Sequence, residues 1–253
     1  MKKNIIYLIL ILFSTFLNAN EKIVLQLKWF HQFQFAGYYA AKEKGFYDEV
    51  GLNVEIRQRD LKYNNIDEVI NGNAQYGVAD SILILYRLKQ QPVVIVSPIF
   101  QHSPSVFISL KKSNISSVYE LNNKDILFYP NDTDGFSLLA MIKKFDLDVN
   151  LVRERYKDDY MRLINNEVDV MPAYIANEPF LFKEKGYDVN IINPTNYGFD
   201  MYGDMLFTNE DEAKNNPIRV EKFKEATLKG WKYALENKEE IIKLINEKYS
   251  KQK

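Results

Sequence analysis

"LQLKWFHQFQFAGYYAAKEKGFYDEVGL", residues 25–52, sets Trp29, His31, four Phe and three Tyr beside Lys, Gln and Glu. Two periodicities meet in it. Upstream, "KIVLQLKW" (22–29) alternates Ile23, Leu25, Leu27 and Trp29 with partly polar positions, the pattern of a strand. Downstream, 36–44 reads as a helix that stops at Gly45, a residue suited to a left-handed C-terminal cap. Working outward, "NVEIRQ" (53–58) is a second strand. "NNIDEVING" (64–72), with its asparagine cap, early acids and terminal glycine, is a short helix. In "AQYGVADSILILYRLKQQPVVIVSPIF" (74–100) a strand runs into Asp80, read as a capping residue, a helix follows, and Pro92 restarts a β-rich run. The order β-α-β-α-β predicts a mainly parallel sheet covered by helices.

A second unit of the same kind begins near Ser103. "DILFYP" (125–130) is a strand, "NDTDGFSLLAMIKKF" (131–145) a polar loop entering a helix, and "NLVRERY" (150–156) a strand. Helix, strand, helix and strand follow to Ile192. The last segment places Phe223, Thr227, Gly230 and Ala234 at four-three-four spacing and reads as two amphipathic helices returning to the first lobe. No linker rich in Gly, Pro or Ser intervenes, so short crossing strands near 97–107 and 192–198 join the lobes. The expected division is a leader at 1–19, a first lobe at 20–102 with 197–253, and a second at 103–196. A cleft between two such lobes suits a small ligand.

The leader, "MKKNIIYLILILFSTFLNAN", has two lysines, an apolar run from Ile5 to Phe16 and a small residue at Ala19, the three-part form of a cleavable signal peptide. Export to the periplasm is expected, with an uncleaved anchor as the alternative. Of 253 residues, 33 are basic and 34 acidic, a formal net charge of −1, which argues against a nucleic-acid partner. There is no cysteine, so thiol catalysis, disulfides, thiolate metal sites and lipid anchoring through cysteine are excluded together. With two histidines and no carboxylates at ligand spacing, no metal site is expected.

In a parallel sheet, ligands sit outside the carboxyl ends of the strands, where helices begin. Trp29 holds that place after the first strand, Asp80 and Ser81 after "YGVA", and Tyr174 to Glu178, including Asn177, after "VDVMPA". Phe35, Tyr39, Phe46 and the residues of "ILILY" (82–86) are assigned to core. For Trp29 the bland alternative is a packed tryptophan whose N–H is satisfied.

The chain resembles the thiamine-pyrimidine-precursor group of type II periplasmic binding proteins, a sulfonate-binding-like family that also contains a eukaryotic pyrimidine synthase. The resemblance is carried by residues 27–56, by "YGVADSILILYRLKQQPVVIVSPIFQHSPSVFISLK" (76–111) and by "AYIANEPFLFKEKGYDVNIINPTNYGFDMYGDMLFTNE" (173–210). It implies two α/β lobes around a ligand cleft and a 4-amino-2-methylpyrimidine held there. Trp29 would stack on the ring. Glu178 would accept from the exocyclic amine or, if protonated, donate to a ring nitrogen; otherwise it is a solvated first-turn acid. Tyr174 and Tyr202 would wall the site or serve as core aromatics. Asp80 is a cap, a ligand contact, or both. Asp204 is a weaker candidate, since a loop carboxylate is usually solvated. "NDTDG" (131–135) offers backbone N–H groups to a polar substituent or is a simple turn.

The synthase chemistry of the family requires a lysine, a histidine and a cysteine-rich stretch. The matching region here reads "GVADSIL", with Ala79 and Leu83 at the corresponding places. A non-enzymatic protein without catalytic residues or cofactor is therefore expected. The first expectation is a monomeric solute-binding protein serving an ABC permease. The alternative is the ligand-sensing domain of a truncated histidine kinase or diguanylate cyclase, in contact with a membrane sensor module. The absence of a hydrophobic segment after "NEKYSKQK" favours the former.

Overall fold

The computed structural model describes residues 20–130, 134–153 and 159–250; the expected leader and residues 131–133 of the "NDTDG" loop lie outside this set. In chain order the elements are β1 (Glu21–Gln26), α1 (Ala36–Glu43), β2 (Leu52–Arg57), α2 (Asn65–Ile70), β3 (Tyr76–Ala79), α3 (Leu83–Leu88), β4 (Val93–Phe100), β5 (Ser105–Leu110) and β6 (Asp125–Phe128). They continue as α4 (Phe136–Lys144), β7 (Asn150–Arg153), α5 (Asp159–Ile164), β8 (Met171–Tyr174), α6 (Glu178–Glu184), β9 (Val189–Ile192), β10 (Gly203–Asn209), α7 (Glu210–Asn215), α8 (Pro217–Glu236) and α9 (Lys238–Lys248). The chain forms two compact units, one of Met1–Gly77 with Asn209–Lys253 and one of Val78–Thr208.

In the first unit β1 lies between β2 and β3, parallel to both. β2 buries Leu52, Val54 and Ile56 and exposes Asn53 and Glu55, the period of two that gives a strand one dry face. α1 buries Gly37, Tyr38, Tyr39, Ala40 and Ala41, and α8 meets it at a glycine contact. A Cβ added to Gly230 would stand 2.2 Å from the Gly37 carbonyl oxygen and 2.6 Å from Ala41 Cβ, so the helices pass closer than any side chain allows. Seven residues before Gly230, Phe223 stacks on Tyr76 at 3.9 Å and lies 5.0 Å from Tyr47. Both phenols are buried and both are answered: Tyr47 by Thr227 Oγ1 at 2.8 Å, and Tyr76 by the Glu212 carboxylate at 2.9 Å, which Arg219 neutralises.

In the second unit β5 is flanked by β8 and β9, antiparallel to both. β6 pairs parallel with β7, and β10 lies between β3 and β4 in sheet order. β5 is buried on both faces. Its Phe107 joins Phe128, Leu138 and Met141, while Val106 and Ile108 join Leu127, Ala173 and Phe182. A strand covered on both sides has no polar face, which is why "SVFISL" is nearly continuous in apolar residues.

Four expectations are corrected. The first strand ends at Gln26, so Trp29 stands in the bend beyond it. The second unit is built around antiparallel pairings, because β5 crosses between neighbours that run the other way. Ile84 and Leu85 are 50% and 36% exposed and not core. At six residues α3 buries only the turn at Ile82 and Leu83, and "ILILY", apolar on every side, has no polar face to say which side turns inward. Phe46 is half-buried, with Lys229 Nζ 4.1 Å above its ring.

The glycine contact sets the first test. Ala is the better helix former by about 1 kcal/mol, but overpacking a tight contact costs about 1 to 3 kcal/mol. Gly230→Ala is therefore expected to lower the thermal midpoint by several degrees. An unchanged or raised midpoint would show that α1 and α8 do not meet at this distance.

Candidate functional site

The second unit gathers buried acids at strand ends. After β3, Asp80 and Ser81 are buried. Asp80 is not the expected helix cap: α3 starts from Ile82, and Leu83 N–H bonds to the main-chain oxygen of Asp80. The Asp80 side chain instead accepts, at 3.3 Å, the N–H of Asp204. Asp204 is corrected as well, being 2% exposed at the second position of β10 and not solvated in a loop. It holds φ +43°, a left-handed conformation that Asp tolerates better than most residues. The chain reaches that turn through Gly203, where a Cβ would stand 3.0 Å from Pro104 Cδ and 3.2 Å from Ser103 Cα.

Tyr174 ties this corner to β8, whose last residue it is. Its hydroxyl donates to Asp204 Oδ1 at 3.2 Å and its backbone N–H donates to Glu178 Oε2 at 2.7 Å. Burial, then the charges of Asp204 and Asp80, hold the phenol well above its ordinary range, so it stays a donor. Burial also raises the Glu178 carboxyl, against the lowering effect of the Tyr174 N–H and the Asn177 side chain, which donates at 3.1 Å. Ser81 Oγ donates to the Tyr202 carbonyl oxygen at 2.6 Å, while the Tyr202 residue is 51% exposed. The crossing segments are joined nearby by Ser103 N–H to Met201 O at 2.7 Å and by exposed His102 against Asp200, also at 2.7 Å.

Asp80, Ser81, Tyr174, Glu178, Tyr202 and Asp204 thus share one hydrogen-bonded cluster or its immediate neighbours, with exposed Asn177 at its edge. Trp29 belongs to the first unit. It is half-buried, edge-on to Phe30 at 5.3 Å, and its carbonyl accepts from Arg59 N–H. Tyr129 was overlooked. It follows β6 directly, its phenol lies near enough to that of Tyr174 to help hold it protonated, and a Cβ on Gly135 would stand 2.8 Å from its ring. The strand-end rule that selected Asp80 and Tyr174 also covers it. Of "NDTDG", Asp134 is buried and Gly135, at φ +71°, opens α4. Chemically the cluster offers carboxylate oxygens to hydrogen-bond donors. Among the described residues no group of three His, Cys, Asp or Glu is placed to hold a metal, and no helix is long and apolar enough to cross a membrane.

This is the type II periplasmic binding protein fold. Residues 32–241 match the family described as NMT1/THI5 like, and the chain belongs to it. It is 26% identical over 236 residues to a riboflavin-binding protein of Chloroflexus aurantiacus, covering 88% of this chain and 65% of that one. It is 23% identical over 232 residues to a formylaminopyrimidine-binding protein of Halalkalibacterium halodurans, covering 90% and 70% respectively. The chain thus spans about two thirds of the length of these relatives. In structure it is similar to the aliphatic sulphonate-binding protein SsuA of Escherichia coli, with a TM-score of 0.70, 13% identity, and coverage of 90% of this chain and 78% of that one.

The raised Glu178 carboxyl yields a pH test. A carboxyl with a raised folded-state pKa binds its proton more tightly folded than unfolded. Its contribution favours the fold at low pH and is lost as pH rises through the raised value. The midpoint of Glu178→Gln minus that of the parent should therefore grow as pH climbs from below the ordinary value of about 4.3 to neutrality. A difference that stays flat with pH would mean that Glu178 is solvated.

Proposed function

We propose that the chain is an exported solute-binding protein that captures a planar, N–H-bearing heterocycle of the aminopyrimidine kind and delivers it to an ABC importer. The carrying observation is the cluster of Asp80, Asp204 and Glu178 around Tyr174, whose acceptors match an exocyclic amine and ring N–H groups. The family and the relative named for formylaminopyrimidine support the same chemistry. Trp29 supplies the stacking face, Glu178 and Asp204 accept from the amine, Asp80 holds Asp204 in place, and Tyr202 and Asn177 line the entrance. The protein binds without turnover. The lobes close on the ligand about the crossing segments near 97–107 and 192–198. A second reading, an isoalloxazine ligand, is favoured by the relative named for riboflavin.

Mass spectrometry of ligand co-purifying with the exported chain, followed by calorimetry with a 4-amino-2-methylpyrimidine and with riboflavin, decides between the two. An unaltered pyrimidine should be recovered. Binding of riboflavin alone replaces the ligand, and binding of neither overturns the reading. Trp29→Ala should weaken pyrimidine binding by about 1 to 3 kcal/mol, roughly tenfold to a hundredfold, with little loss of stability. Early melting with unchanged affinity would make Trp29 a packing residue.

Lobe closure has its own measurement. Small-angle scattering should give a smaller radius of gyration at saturating ligand. An identical radius would remove the closing step from the proposal.

A further inference from the structure

Between β1 and α1 the backbone of residues 28–32 runs as a succession of bends outside any sheet ladder, and it carries Trp29. Main-chain bonds tie both of its sides: Trp29 O accepts from Arg59 N–H at 3.0 Å, and Phe35 N–H donates to Gln32 O at 3.1 Å. His31, separated from Trp29 by Phe30 alone, is held through its side chain. Its Nδ1 stands 2.8 Å from the Tyr39 hydroxyl on α1, whereas its backbone N–H reaches Gln58 Oε1 only at 3.4 Å.

A second ring reaches this histidine from the far end of the sequence. Tyr249, the residue after α9, places its ring 5.4 Å from that of His31 and 4.4 Å from that of Tyr39. Its own place is set on two sides. The hydroxyl donates to Glu43 Oε1 on α1 at 2.6 Å, and the backbone N–H donates to Ile245 O at 2.9 Å. Lys248 pairs with the same carboxylate. Burial works to raise the Glu43 carboxyl, but the hydrogen bonds from Lys248 and Tyr249 bring it below its ordinary value, so it is an ionised acceptor that keeps Tyr249 in register. Burial raises the Tyr39 phenol and lowers the His31 imidazole. His31 is thus a neutral ring packed beside two tyrosines. Without the Tyr249 ring there would be a gap beside it, into which the bend and Trp29 could relax.

We propose that Tyr249 is a positioning residue for the stacking face: through His31 and Tyr39 it holds the bend in the conformation that presents Trp29 to the planar ligand. This rests on the ligand reading above, and two of its tests need no ligand.

The full chain is compared with its Tyr249→Ala and Tyr249→Phe variants. Acrylamide quenching of Trp29 emission is taken as the difference between each chain and its Trp29→Ala counterpart. It should change in Tyr249→Ala and match the parent in Tyr249→Phe, which keeps both ring contacts. The His31 titration, followed by NMR in a His102→Gln chain, should move up toward the ordinary histidine value in Tyr249→Ala, because the ring that keeps water from the imidazole is gone. Calorimetry with 4-amino-2-methylpyrimidine should show Tyr249→Ala binding about twofold to tenfold more weakly, the fold-change of one lost aromatic pair. In the Trp29→Ala background the same substitution should leave affinity unchanged, whereas a general loss of stability would weaken both backgrounds alike. Equal losses in the two backgrounds overturn the proposal, as do quenching and titration that Tyr249→Ala leaves in place. A parent that binds no pyrimidine while both ligand-free signals move removes the ligand reading alone and supports Tyr249 as the residue that sets the Trp29 bend.

Discussion

A carboxylate removed from water must be met by donors or by positive charge, because its unmet desolvation would cost several kcal/mol. Asp204, 2% exposed, is the residue on which this constraint falls hardest in the second unit. Its carboxylate takes the Tyr174 hydroxyl and its N–H is held by Asp80. Tyr174 uses its other donor, the backbone N–H, on Glu178. One tyrosine at the end of β8 therefore satisfies acids on two different elements. With Asp80 following β3 and Asp204 opening β10, three strand ends are fixed by side chains rather than by the sheet ladder. The left-handed backbone of Asp204 adds strain of order 1 kcal/mol. A strained, buried acid among other acids is a poor way to build a core and a good way to hold acceptors at fixed positions for a donor-bearing ligand.

In the first unit the comparable constraint is steric. Gly37 and Gly230 let two helices touch through backbone, and Trp231 lies against the place where a Gly37 side chain would be. Helices this close bring Phe223 onto Tyr76 and Tyr47. The aromatic density of 25–52 then divides at Phe35. From Phe35 onward, Tyr38, Tyr39 and Tyr47 are buried core; before it, Trp29, Phe30 and His31 are half-buried. Half-burial leaves ring surface for a partner that is not part of the core.

Features set by neighbours in sequence were legible. The Asn64 cap receives the Ile66 N–H, Gly45 and Gly72 take left-handed conformations beyond their helices, and Phe223, Thr227, Gly230 and Ala234 are buried at their four-three-four spacing. What escaped depends on residues far apart in sequence. Asp80 read as a cap because its helix is adjacent, whereas the group that claims its carboxylate lies 124 positions away. Asp204 read as solvated because "YGDM" carries no sign of the strand it opens. α3 was read as wholly buried because an all-apolar turn gives periodicity nothing to resolve. Tyr129 stands after β6 as Asp80 stands after β3, but what marks it, its nearness to the Tyr174 phenol, joins elements distant in sequence.

Fold and ligand chemistry separate at this site. The chain shares its fold with proteins that include one named for binding aliphatic sulphonates, at 13% identity. A sulfonate is a permanent anion that calls for positive charge or N–H donors. The cluster around Tyr174 presents Asp80, Asp204 and Glu178, and burial raises the Glu178 carboxyl from its ordinary value. Like charges brought together in a partly dry site repel by several kcal/mol, more than any shared backbone arrangement returns. The same acceptors would attract an amine or a ring N–H, which is the chemistry of the proposed ligand.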